Sequence, residues 1–199
     1  MVGKVIGITS SGGGTENLLD MMLEKNGIPH KSVERQVVGN APGAFDLINK
    51  GRIACYMPST GTVLRLQGSG QPIHAWNTDE QVAMPGQIYF ATTDWLAENS
   101  GAAVSFLRAV RASIEEMHKS DMGMIVDRMG KSYDIIGIKN RDFSILVGET
   151  ELKTFGRGND SLRNDNARWS SVIKGMISAG LSKPVDAAKL YTNKYVDQI

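Results

Sequence analysis

The chain has 199 residues, 41% of them hydrophobic, with 22 Lys and Arg set against 21 Asp and Glu for a net charge of +1. That is enough apolar material for a packed core in one large or two small domains, and it excludes a disordered chain and a global electrostatic pull toward nucleic acid or membrane. The single Cys55 excludes an intrachain disulfide, a multi-cysteine zinc site and an iron–sulfur cluster built from this chain alone.

From the N-terminus, Val5, Ile6 and Ile8 form the short apolar run of a buried parallel strand. Ser10-Ser11-Gly12-Gly13-Gly14-Thr15 breaks it, and Leu18, Leu19, Met22 and Leu23 then recur at helical spacing until Gly27, which is placed to end the helix in a left-handed conformation. A strand, a glycine-rich turn and a helix start bring unpaired N–H groups and the positive end of the helix dipole together, which makes a ready anion site, although Glu16 next to the turn disfavours a highly charged anion. The same turn without a ligand is an ordinary strand-to-helix connection. No lysine follows Gly14, so the nucleoside-triphosphate P-loop is not met, and the third glycine of a dinucleotide fingerprint counted from Gly12 falls on Asn17.

Gln36-Val37-Val38 predicts a second strand that stops at Gly39-Asn40, and Ala41-Pro42 opens a helix whose apolar face is Phe45, Leu47 and Ile48. Ile53 to Met57 predicts a third strand running into Pro58-Ser59-Thr60, where Thr60 is placed to cap a helix carrying Val63, Leu64 and Leu66. Pro72 to Trp76 predicts a fourth strand. Three strand–helix units in succession are the grammar of a parallel sheet covered by helices, an α/β fold. Ser10 to Thr15, Gly39-Asn40, Met57 to Thr60 and Asn77-Thr78 then fall at strand carboxyl ends, where open sheets of this kind hold ligands. They supply hydroxyls, amides and backbone donors and no general acid or base, so they suit holding a small polar or anionic group rather than breaking one.

From Met84-Pro85-Gly86 the pattern changes. Gln87 to Thr92 predicts a last apolar strand, and Thr93-Asp94 caps a helix that runs to about Ser120 with a bend near Gly101 and a stripe of Phe106, Leu107, Val110, Ile114 and Met117. Further helices are expected over 122–129, 162–177 and 185–196, the second with Trp169, Val172, Ile173 and Met176 on one face; 142–159, with Gly148, Gly156 and Gly158, reads as a long surface connection. His30, His74 and His118 lack metal-ligand spacing, and Cys55 on an apolar strand reads as a small core residue. Trp76 either fills a sheet–helix interface or stacks on a ligand. Neither a metal nor a cofactor is expected. No run is long and apolar enough to span a bilayer, and with Gly3 and Lys4 leading straight into a core strand, no secretory signal is expected within these residues.

Gly3 to Ile8 followed by Ser11-Gly12-Gly13-Gly14-Thr15 resembles the start of the second lobe of periplasmic substrate-binding proteins of ABC importers, in the group handling sulfonates, nitrate and thiamine-type pyrimidine precursors. Gly39-Asn40-Ala41-Pro42-Gly43-Ala44-Phe45, Leu47 to Ile53 and Tyr56-Met57-Pro58 are similar to that group's next motifs. So are Phe90 to Leu96 and Phe106-Leu107-Arg108-Ala109, and the likeness covers most of the chain to about Lys119. The resemblance implies a second-lobe α/β domain over 1–88, with a mostly parallel sheet covered by helices, and a crossover strand and helical region over 89–199 belonging to an incomplete first lobe. Members of the group carry roughly one hundred first-lobe residues ahead of this point. It also implies a noncatalytic binding protein without cofactor, a solute held by Ser10, Ser11, Gly12, Gly13, Gly14, Thr15, Gly39, Asn40, Pro58, Ser59, Thr60 and Asn77, and an ABC permease as partner. The parent would be periplasmic or lipid-anchored. Nucleic acid and direct membrane insertion are not expected. Two other readings belong to the same architecture: an enzyme of the thiamine-pyrimidine synthase type, whose cysteine-rich iron motif this chain lacks, and an effector-binding domain of a transcription regulator. Apolar stripes on the later helices, deprived of a sheet to cover, predict that these helices pack on one another or pair with a second copy as a homodimer.

Overall fold

A computed structural model describes residues 2–82 and 84–199. The chain is a mixed α/β protein whose small sheet is parallel throughout, followed by a largely helical region. It divides into two compact units, one from Met1–Gly86 and Asn166–Leu190, the other from Gln87–Asp165 and Tyr191–Ile199.

In the first unit the sheet has the order β2-β1-β3, with β1 at Val5–Ile8, β2 at Glu34–Val37 and β3 at Cys55–Tyr56. β1 takes the centre, and of the three strands it alone has buried residues, Ile6, Gly7 and Ile8; its register pairs Val5 with Glu34 on one side and Ile6 with Cys55 on the other. The polar β2 sits at an edge, where half-exposed residues cost little. On one face Ile6 and Ile8, 0% and 1% exposed, pack with Val33 against Leu19 and Leu23 of α1, which spans Gly14–Lys25. On the other face Gly7 lies so close to Tyr56, Val38 and Ile53 that no Cβ fits there. α2 (Phe45–Asn49) and α3 (Thr60–Gly68) follow β2 and β3. The return segment carries α8 (Asn166–Ser178), whose Val172 joins Met21 of α1 and Ala179 in a second small core.

The second unit contains α4 (Thr93–Glu98), α5 (Ser100–Lys119), α6 (Met122–Ser132) and α7 (Arg141–Leu152). Met122, Ile125 and Val126 of α6 form its core with Met117 of α5, Ile138, and Ile145 and Leu152 of α7.

Several expectations are corrected. Pro72 to Trp76 is not a strand; among the described residues it pairs with nothing, and His74 and Trp76 are exposed with their rings edge to face at 4.8 Å. Gln87 to Thr92 is likewise outside any strand and exposed, because strand-forming residues need a ladder partner that the described residues do not offer it. The stretch 142–159 is not a surface connection: α7 occupies its first part, started by Asn140, whose side chain accepts from Phe143 N at 3.1 Å. The helix expected over 185–196 reduces to two short 3-10 turns, Ala187–Lys189 and Val196–Gln198. Leu162 lies outside α8 at φ 65°; the break expected near Gly101 is present, at Asn99 between α4 and α5.

Candidate functional site

Parallel neighbours carry their following turns to the same sheet edge, so the order β2-β1-β3 sets the turns after all three strands side by side. Ser10 to Thr15 follows β1, Gly39-Asn40 follows β2, and Pro58-Ser59-Thr60 follows β3. Most of these residues are exposed, as a rim must be.

The first turn is built from its own side chains. Gly12 and Gly39 take the left-handed region, at φ 68° and 73°, which only glycine enters without strain. Thr15, in the first turn of α1, ties back to the end of the strand: its Oγ1 accepts from Thr9 N at 3.2 Å and lies 2.7 Å from Thr9 Oγ1. Glu16 bends over the turn and accepts from Gly12 N at 2.6 Å. Arg35 of β2 stands behind, its Nε 3.6 Å from Glu16 and its Nη2 directly bonded to Asp20, one helical turn further on.

The second and third turns are joined to each other. Asn40 Oδ1 accepts from Ser59 N at 2.8 Å while its Nδ2 donates to Ser59 Oγ at 2.9 Å, and Thr62 Oγ1, buried, donates to the Asn40 carbonyl at 2.7 Å. This changes the capping of α3. Ser59, not Thr60, is the residue at the N-cap, and its hydroxyl serves Asn40 instead of the helix.

Asn77 is not brought to this edge by a strand, since the segment before it is irregular; its side chain is committed to Asp79 N at 3.0 Å, and Asp79 in turn faces Arg168 at 3.3 Å. Cys55 is half-buried in β3, and burial pushes its thiol up, away from thiolate chemistry at neutral pH. Burial raises the neighbouring Tyr56 hydroxyl as well. The described residues hold no cluster of three or more His, Cys, Asp or Glu placed for a metal ion.

The sequence reading missed the Asn40–Ser59–Thr62 latch and the Glu16–Arg35–Asp20 group. The latch left no signal, because its partners are 19 and 22 residues apart. The second group left one: Glu16 and Asp20 are four apart, hence on one helical face, and two adjacent carboxylates call for a cation.

What the rim can do chemically is hold a small solute through hydroxyls, an amide and backbone N–H groups. A protein family described as NMT1/THI5 like, a group that includes periplasmic binding proteins, matches residues 1–121. A solved structure from Bordetella bronchiseptica RB50 is similar with a TM-score of 0.74 at 20% identity, over 99% of this chain and 64% of that one. The chain thus spans less than two thirds of the length of that relative, and at this identity the likeness shows the fold. No curated protein matches.

Proposed function

This chain belongs to the NMT1/THI5-like family, and from that premise we propose that it is a noncatalytic binding protein for a small polar solute, serving ABC-type import. The observation that carries the reading is the junction of the three turns: adjacent parallel strands set them at one sheet edge, and Asn40 fixes the second to the third by two hydrogen bonds to Ser59. A preset array of donors and acceptors lowers the ordering cost of binding and so favours retention of a small molecule. Ser10 to Thr15, Gly39, Asn40, Pro58, Ser59 and Thr60 are the proposed contacts, and Asn77 is left out of the set. Turnover is not proposed, because the rim pairs no nucleophile with a base. In the complete importer the partner is an ABC permease and the setting the periplasm or the outer face of the membrane.

Native mass spectrometry of the purified protein, followed by melting curves with candidate solutes, tests the reading. A true solute at 100 times its Kd adds about 2.7 kcal/mol of stability. The shift should disappear in Asn40→Ala, and the loss of its two bonds to Ser59 should lower the unliganded stability by about 1–3 kcal/mol. A shift that survives Asn40→Ala unchanged places the solute elsewhere.

A further inference from the structure

α1 ends on Asn26-Gly27, the one Asn-Gly pair in the sequence, and both residues are exposed. Asn-Gly is the pair most prone to lose its side-chain amide, because glycine has no Cβ to keep its backbone nitrogen off the neighbouring Cγ. In that reaction Gly27 N forms a bond to Asn26 Cγ, the bond from Cγ to Nδ2 breaks, and the Gly27 N proton leaves with the amide nitrogen as ammonia. Water then opens the cyclic imide at either carbonyl and yields aspartate or isoaspartate. Nothing is oxidised or reduced.

The folded chain opposes the first step. Asn26 sits at ψ 12°, which puts Gly27 N on the side of Asn26 N rather than of its Cβ, and its Nδ2 donates to the Met22 carbonyl at 2.8 Å. Gly27, at φ 67°, donates its N–H to Glu24 O at 2.9 Å, and Ile28 N donates to Leu23 O at 2.9 Å. Those two bonds form a Schellman closure, and Ile28 packs on the same core cluster that contains Leu23. The attacking nitrogen is thus spent as a donor and the leaving amide is held. We propose that Asn26 is a site of spontaneous deamidation kept shut by this cap, so that its rate reads how often the end of α1 opens. The change is one-way. The product has no Nδ2 to donate to Met22 O, sets a carboxylate at the negative end of the helix dipole, and in its isoaspartyl form lengthens the backbone inside the closure. A chain once modified therefore keeps this helix end loose, beside the core that packs on β1.

Incubation of the purified protein at mildly alkaline pH, folded and in guanidinium chloride, followed by peptide mass mapping with isoaspartate detection, decides it. The unfolded chain should deamidate at Asn26, and the folded one at least about tenfold more slowly, since the ring closes only from the opened helix end. Ile28→Ala removes the side chain behind the closure and leaves the Asn-Gly pair intact, so Asn26 should deamidate severalfold faster in it than in the folded wild type. Melting curves establish that this variant folds; if it does not, the folded and unfolded wild type decide alone. A folded wild type that deamidates as fast as the unfolded chain, or a folded Ile28→Ala no faster than wild type, overturns the gate. No deamidation at Asn26 in the unfolded chain overturns the site itself.

Discussion

At Gly7 an added methyl group would meet Tyr56 Cβ at 2.6 Å, Val38 Cγ2 at 2.9 Å and Ile53 Cδ1 at 3.1 Å. The first of these is anchored to a neighbouring strand and cannot swing away. Gly7→Ala therefore forces the sheet apart, and overpacking of about 1–3 kcal/mol exceeds the roughly 0.5–1 kcal/mol that alanine gains over glycine in a strand. The urea midpoint should fall with little change in slope. Arg35 is the other residue on which the unit leans, because Asp20 is 7% exposed and has its ion pair there. Arg35→Met leaves a buried carboxylate without its cation and should cost toward the lower end of about 3–5 kcal/mol. Adding Asp20→Asn to that variant should recover much of the loss, and equilibrium unfolding of the three variants measures it.

Two helices, α6 and α7, show how an element is decided by its partner. Gly148 in α7 lies where a Cβ would come within 2.7 Å of Met122 Sδ, so the glycine that argued against a helix in the sequence is there to admit the neighbour. Across the same contact Arg141 Nε donates to Asp127 Oδ1 at 2.6 Å and Nη2 to Oδ2 at 3.0 Å. That fork holds the Asp127 carboxyl below the usual carboxylate range. A carboxyl whose folded pKa is depressed contributes stability that is complete above its ordinary value and is lost as pH falls through the lowered one. The stability difference between wild type and Asp127→Asn should thus be flat from pH 7 to about pH 5 and shrink below about pH 4, read from urea midpoints across that range. Glu115, lowered mainly by its bond from Gly158 N, titrates in both proteins and drops out of the comparison.

Across the whole molecule the apolar residues are not all covered. Ile114 is buried and Met117 joins the α6 core, and on α8 Val172 and Ile173 are buried, so part of each expected stripe finds a partner within its own unit. Ile88, Tyr89, Phe90, Trp95 and Phe106 remain exposed, Phe90 at 93%, and Tyr89 meets Phe106 edge to face at 5.0 Å. Exposed apolar side chains of this size should bind an apolar dye, and Phe90→Ser should reduce the signal while moving stability by less than about 0.5 kcal/mol. Sedimentation over a wide concentration range tests the homodimer expected from the sequence. A rise in mass with concentration supports it, and a monomer throughout that binds no dye removes it.

The sequence by itself determined β1, the glycine turn and α1, because strand period, turn residues and helix period are all local and each is written within about ten residues. It determined the family's α/β character for the same reason, strand and helix signals alternating along the chain. It could not determine which extended segments become strands. Pro72 to Trp76 and Gln87 to Thr92 have the composition of strands and lie outside the sheet, since a strand exists only through hydrogen bonds to a second segment. Nor could it show that Asn40 is held by Ser59 and Thr62, that Asn77 is spent on Asp79, or that Glu16 closes on Gly12 under the hand of Arg35. The Asn40 bonds join residues 19 and 22 apart, which only the packing of the sheet and its helices brings within reach, whereas the Asn77–Asp79 and Gly12–Glu16 bonds are local and depend on the turn that each one closes.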